Sequence, residues 1–123
     1  MNLQTSSIQI TVQQEFVYQS AGLIHKVGGV TLDGTKFTGL VKAGTVVAVG
    51  QENNPLAEPW NSEAVVKGTV YVTTNDVKIV GTQNVQVGAL EEGYLNRKRV
   101  TGVASEKEAA FAEQSQNRFK LRG

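Results

Sequence analysis

The chain has 123 residues and a mass of 13.2 kDa, which argues for a single domain. Hydrophobic residues make up 40% and charged residues 19%, and 12 Lys+Arg against 11 Asp+Glu leave a formal net charge of +1. That balance is too apolar for a disordered chain and too neutral for a strong nucleic-acid field. The absence of Cys excludes a disulfide scaffold, a Cys-ligated zinc and a thiol nucleophile. No apolar run approaches the roughly 20 residues of a membrane span. Met1-Asn2-Leu3-Gln4-Thr5 lacks the basic start and apolar block of a secretory signal, so synthesis in the cytoplasm is expected. Counts of 18 Val, 11 Thr and 13 Gly, against 4 Ile and 8 Leu, favour pleated strands joined by tight turns.

Residues 1–20 carry one charge, Glu15, and an apolar stripe on even positions: Ile8, Ile10, Val12, Phe16 and Tyr18, broken by Gln14. Alternation of that period puts the stripe on one face of a strand. The segment is either an edge strand of the core sheet or an extended arm that pairs with another chain. A long uncharged strand makes a poor free edge, because it invites pairing. The expected division is therefore an N-terminal arm at 1–20 and one β-rich domain at 21–123.

After Ala21-Gly22, short strands alternate with turn signals. Leu23 to Val27 ends at Gly28-Gly29, and Val30 to Leu32 ends at Asp33-Gly34, which predicts a hairpin returning through Thr35 to Val41 with Phe37 in the core. Thr45-Val46-Val47-Ala48-Val49 is nearly continuously apolar and predicts a strand covered on both faces. Residues 51–62 form the longest turn-like stretch and hold both prolines and the sole Trp, Trp60. Loops of that length often carry function. Strand character resumes at Ala64 to Thr74, and Val77 to Val80 and Val85 to Val87 flank Gly81-Thr82-Gln83-Asn84 as a second predicted hairpin. Ser105-Glu106-Lys107-Glu108 fits a capping box for a helix at about 105–116, and Phe119 and Leu121 alternate with basic residues as a closing strand. The expected fold is mainly β: a small sandwich or barrel-like domain with an extended N-terminal strand-like arm and one short C-terminal helix.

The catalytic inventory is thin. His25 is the only His and reads as structural, since general-base work needs a partnered, poised imidazole. No Ser lies in a nucleophile-elbow pattern. Asp33 and Asp76 read as turn residues, and adjacent Glu91 and Glu92 on an extended chain point to opposite faces. The glycines match no phosphate-binding or dinucleotide pattern. No catalytic residue, cofactor site or metal site is expected. Arg97-Lys98-Arg99 is the densest charge and reads first as a solvated or salt-bridged turn, second as a nucleic-acid contact. Trp60 has two readings, a core residue whose indole N–H must find an acceptor or a contact anchor in a partner interface.

Three stretches carry a family resemblance: Gly44-Thr45-Val46-Val47-Ala48, the segment Asn84-Val85-Gln86-Val87-Gly88-Ala89-Leu90-Glu91-Glu92-Gly93-Tyr94-Leu95-Asn96, and the closing Arg118-Phe119-Lys120-Leu121-Arg122-Gly123. Over about residues 40–123 the chain resembles the lambda-type head decoration (cement) proteins of tailed bacteriophages. The polar, alternating start departs from the Pro-rich opening of some relatives. The resemblance implies a non-enzymatic virion protein on the capsid exterior that trimerises on the expanded shell and stabilises it against packaged DNA. Its partners would be the major capsid protein and copies of itself, with no direct nucleic-acid or membrane contact. The expected capsid-binding residues are Ile8, Ile10, Val12, Phe16, Tyr18 and Trp60. Two other classes remain open: a tail-tube or head-tail connector subunit, and a small carbohydrate-binding β module using Trp60 and Tyr71 as stacking platforms.

Overall fold

A computed structural model describes residues 16–123, so Ile8, Ile10 and Val12 lie outside the described residues. The domain is mainly β, a curled half-barrel sheet with one short C-terminal helix. The strands are β1 (Val17–His25), β2 (Val30–Leu32), β3 (Gly39–Val41), β4 (Val46–Val49), β5 (Ala57–Pro59), β6 (Thr69–Thr73), β7 (Val77–Ile79), β8 (Val85–Val87), β9 (Ala89–Asn96) and β10 (Phe119–Arg122). The helix α1 (Glu108–Gln114) follows a 3-10 turn at Ser105–Lys107. The main sheet runs β1-β9-β6-β4-β5-β2-β8, with β10 also on β9, while β3 and β7 form a separate two-stranded ribbon.

β4 sits at the middle of that order, which explains why its sequence has no polar face. Val46 and Ala48 point into one core with Val70, Val72, Leu90, Phe111 and Phe119. Val47 points into a second core with Leu32, Phe37, Val41, Ile79 and Val87. The C-terminal helix covers the first face and the ribbon covers the second. The expectation of a strand buried on both sides holds: Val46, Val47 and Ala48 are all 1% exposed or less.

Both predicted hairpins are corrected. β2 pairs with β8 and β5 rather than β3, and β3 pairs with β7. The turns after β2 and after β7 each carry the chain between the sheet and the ribbon, and they dock on one another through the Gly34 N–H, which donates to the Asn84 side-chain oxygen at 3.0 Å. Asp33 accepts from the Thr35 amide at 2.9 Å and from its hydroxyl at 2.6 Å, so the turn is built by local side-chain capping. Glycine is required at 34 by contact, since a Cβ there would collide with the Gln83 carbonyl.

The capping box is corrected too. No side chain caps α1 or the 3-10 turn before it. The Glu108 carboxylate instead accepts from Arg97 Nε at 2.9 Å, an ion pair that ties the helix start to the end of β9. The closing strand at 119–122 is present, paired parallel to β9.

β9 is the hub. β1 lies along one edge; on the other, β6 pairs only at Ala89 and Leu90 and β10 takes over from Gly93 to Asn96. Arg118 fills the fork where β6 and β9 part. Its guanidinium donates to the carbonyls of Glu91 (2.6 Å), Val70 (3.0 Å) and Ser115 (2.9 Å). Backbone acceptors that no strand reaches are thereby satisfied by one side chain.

Candidate partner-binding surfaces

Phe16 and Tyr18 do not share a face. Phe16 precedes β1 and is 3% exposed, packed where Gly44 leaves room; a Cβ on Gly44 would lie 2.7 Å from the Phe16 Cβ. Tyr18 is 52% exposed. The cause is a bulge: Val17 faces Leu95 and Gln19 faces Tyr94, so β1 spends two residues against one of β9 and the phase of the stripe changes. A further irregularity follows between Gln19 and Ile24, where Gly22 has φ +80. Residues 17–20 are thus part of the core sheet, and the boundary of any arm falls before Phe16 rather than at 20. For residues 17–20 the structure shows an edge strand, while residues 1–15 lie outside the described residues. β1 ends the sheet order, with Tyr18 and Ile24 exposed.

Trp60 belongs to the core. It is 7% exposed, meets Phe111 edge-on with centroids 5.6 Å apart, and donates from Nε1 to Gln114 Oε1 at 2.8 Å. That acceptor answers the requirement of a buried indole, and the assignment of Trp60 as a free contact anchor is corrected accordingly. The loop that carries it is cross-linked internally. Gln51 Nε2 donates to Glu58 and to the Pro59 carbonyl, both at 2.9 Å, and Gln51 Oε1 accepts from the Asn61 amide. Asn54 Nδ2 donates to both Asp33 and Glu58 at 2.9 Å. The Thr35 hydroxyl and amide, then the Asn54 amide, hold the Asp33 pKa below its ordinary value. The buried Asp33 and Glu58 carboxylates are consumed by loop architecture.

An apolar groove of about 470 Å³ lies between the ribbon and β4–β5, lined by Phe37, Leu40, Val41, Pro59, Trp60 and Thr101. Leu40 stands 56% exposed at its margin, and Val80, just past β7, is 62% exposed. No local pattern marks this groove: alternation in Gly39–Val41 requires one residue to face out but does not say which. Tyr71 is half-buried between the cations of Lys26 (5.6 Å) and Arg118 (5.9 Å).

His25 is exposed on β1 and lines a pocket of about 260 Å³ with Phe16, Leu23, Thr74, Asn75 and Leu90. Among the described residues no nucleophile or carboxylate is placed against it, and no group of three His, Cys, Asp or Glu converges on a metal position. Among the described residues no helix is long and apolar enough to cross a membrane. No protein-family model, curated protein or solved structure matches this chain.

Proposed function

We propose that the protein is a non-enzymatic structural component of a tailed-phage virion, one that adds as trimers to the outer surface of the expanded capsid and stabilises it against the pressure of packaged DNA. The observation that carries the reading is the outer edge of β1, which no other strand covers among the described residues. A nine-residue strand ends the sheet, and the chain leading into it has an alternating apolar stripe and a single charge. Strand addition at such an edge supplies main-chain hydrogen bonds, and many copies on a lattice multiply a modest single contact. The motifs at 44–48, 84–96 and 118–123, which resemble head decoration proteins, supply the class. The exposed Leu40 and Val80 add apolar surface of the kind a protein partner covers.

A cement must prefer the mature shell, because a ligand shifts an equilibrium only by differential affinity. The test adds the full chain to procapsids and to expanded shells of a tailed phage that lack their decoration protein, with electron microscopy as the readout. Density at local three-fold positions on expanded shells alone is the expected result. Equal occupancy on both shells would sink the cement mechanism. Closed rings of six or more, formed without shells, would transfer the assignment to a connector or tail-tube subunit.

A further inference from the structure

The topology gathers three distant stretches at one pole. β1 is antiparallel to β9 and β10 is parallel to it, so the start of β1 lies beside the ends of β9 and β10. Val17 faces Leu95, and Arg122 faces Asn96. The turn that follows β9 is Arg97-Lys98-Arg99, and the residues that close β10 are Lys120-Leu121-Arg122. Asn96 fixes the turn: its side-chain oxygen accepts from the Lys98 amide at 3.1 Å and its carbonyl from the Arg99 amide at 3.0 Å.

These cations divide by role. Arg97 is structural, pairing with Glu108 and donating to the Gly123 carbonyl at 2.9 Å. Lys98, Arg99, Lys120 and Arg122 are exposed and pair with no carboxylate among the described residues. Lys120 and Arg122 share the outer face of β10, and the Arg122 guanidinium sits 5.3 Å over the Tyr94 ring. Tyr18 stands beside them, its ring 4.0 Å from where a Cβ on Gly123 would lie. Like charges at this density repel one another, and apart from the Arg122–Tyr94 contact no side-chain pairing among the described residues holds these four in place.

We propose that this pole is a docking surface for an acidic protein surface. Arg and Tyr are the side chains enriched where partners meet, and a cationic patch steers an anionic partner into register. A nucleic acid fits less well. The Tyr94 face that would stack a base is covered by Arg122, and Glu92 projects from the same face of β9 as Tyr94. If the capsid reading holds, this is the face turned to the shell, since residues 1–15 join the domain here at Phe16. The inference stands without that reading, and its test needs no capsid.

Isotope-labelled full-length protein is titrated with an oligoglutamate peptide of about fifteen residues, and separately with an oligothymidylate of about the same length, at roughly 0.05 M and 0.3 M salt. Oligoglutamate is expected to move the amide resonances of Lys98, Arg99, Lys120 and Arg122, with affinity falling about fivefold or more at the higher salt as charges are screened. The double variants K120E/R122E and K120Q/R122Q are expected to lose that binding while melting as the parent does; the neutral pair covers the case in which charge reversal disturbs β10. Shifts elsewhere or none would overturn the proposal. So would oligothymidylate binding the pole as tightly as oligoglutamate, which would make the partner a nucleic acid.

Discussion

Replacing Trp60 separates folding from binding. The indole is 7% exposed, packs edge-on to Phe111 and holds Gln114 through its N–H. Gln114 in turn donates to the Ser62 carbonyl at 3.2 Å, so the ring joins the 51–62 loop to α1. Trp60→Ala removes a large buried aromatic, a change that costs about 3–5 kcal/mol. For a domain of this size each kcal/mol lowers Tm by about 3–5 °C, so a fall on the order of 10–20 °C is expected by calorimetry. Trp60→Phe keeps most of the apolar contact and deletes the hydrogen bond, leaving Gln114 Oε1 without its donor, at a cost of about 1–3 kcal/mol. The wild-type protein offers a second readout, since its fluorescence comes from one Trp: emission should be blue-shifted when folded and resist aqueous quenchers. A Tm within about 2 °C of the parent for Trp60→Ala, well under the shift worked above, would refute the core placement and return Trp60 to the surface.

Arg118→Met keeps the aliphatic stem and strips the Glu91 and Val70 carbonyls of the guanidinium donor, while the Ser115 carbonyl keeps the Arg118 amide at 3.1 Å; about 2–4 kcal/mol of stability should be lost in urea titration, and a loss under 0.5 kcal/mol, roughly the level of an ordinary surface change, would show that water serves the fork equally well. The Asp33 carboxylate has a pKa below its unfolded value of 3.8, so its contribution to stability is full above that value and drains away as pH falls through the folded pKa. The Tm deficit of Asp33→Asn should therefore be larger at pH 6 than at pH 3, and an equal deficit at both would contradict the linkage. Deleting residues 1–15 should leave the thermal transition almost unchanged and abolish capsid addition, whereas continuing the cut through Phe16 should cost a further 3–5 kcal/mol, roughly the value for a buried aromatic. An unfolded 16–123 fragment would contradict the first half of that expectation, and shell binding by the fragment would contradict the second.

The same cut shows how far the sequence could be read. Elements with a local cause were legible. β4 was visible because four consecutive apolar residues leave no side to face water. β10 was visible because Phe119 and Leu121 alternate with cations. Pairing was not legible, because turn chemistry fixes a reversal of direction and not the strand that receives it. Asp33-Gly34 and Gly81–Asn84 are turns, as their residues required, but each hands the chain to the other layer. The correct partner of Leu32 is Val85, far along the chain. Trp60 had an acceptor that only the folded chain supplies, and Glu108 left the helix start for Arg97.

At Phe16 and Tyr18, the described end of the N-terminal stripe, the shared face was lost for a different reason. Period-2 alternation specifies a face only while register is kept, and a single extra residue against β9 turns Tyr18 outward while Phe16 stays buried. That bulge has a consequence for binding. A bulge limits how far continuous pairing runs along an edge, so on the proposed reading strand addition at β1 is a short contact, and the basic pole at the start of β1 supplies one that needs no register. Neutralising the pole should slow capture of an acidic partner and make it insensitive to salt. Removing residues 1–15 should speed its release. Association and dissociation rates measured for the two variants on one immobilised partner would separate these roles, and identical changes in both would show that pole and segment act as a single surface.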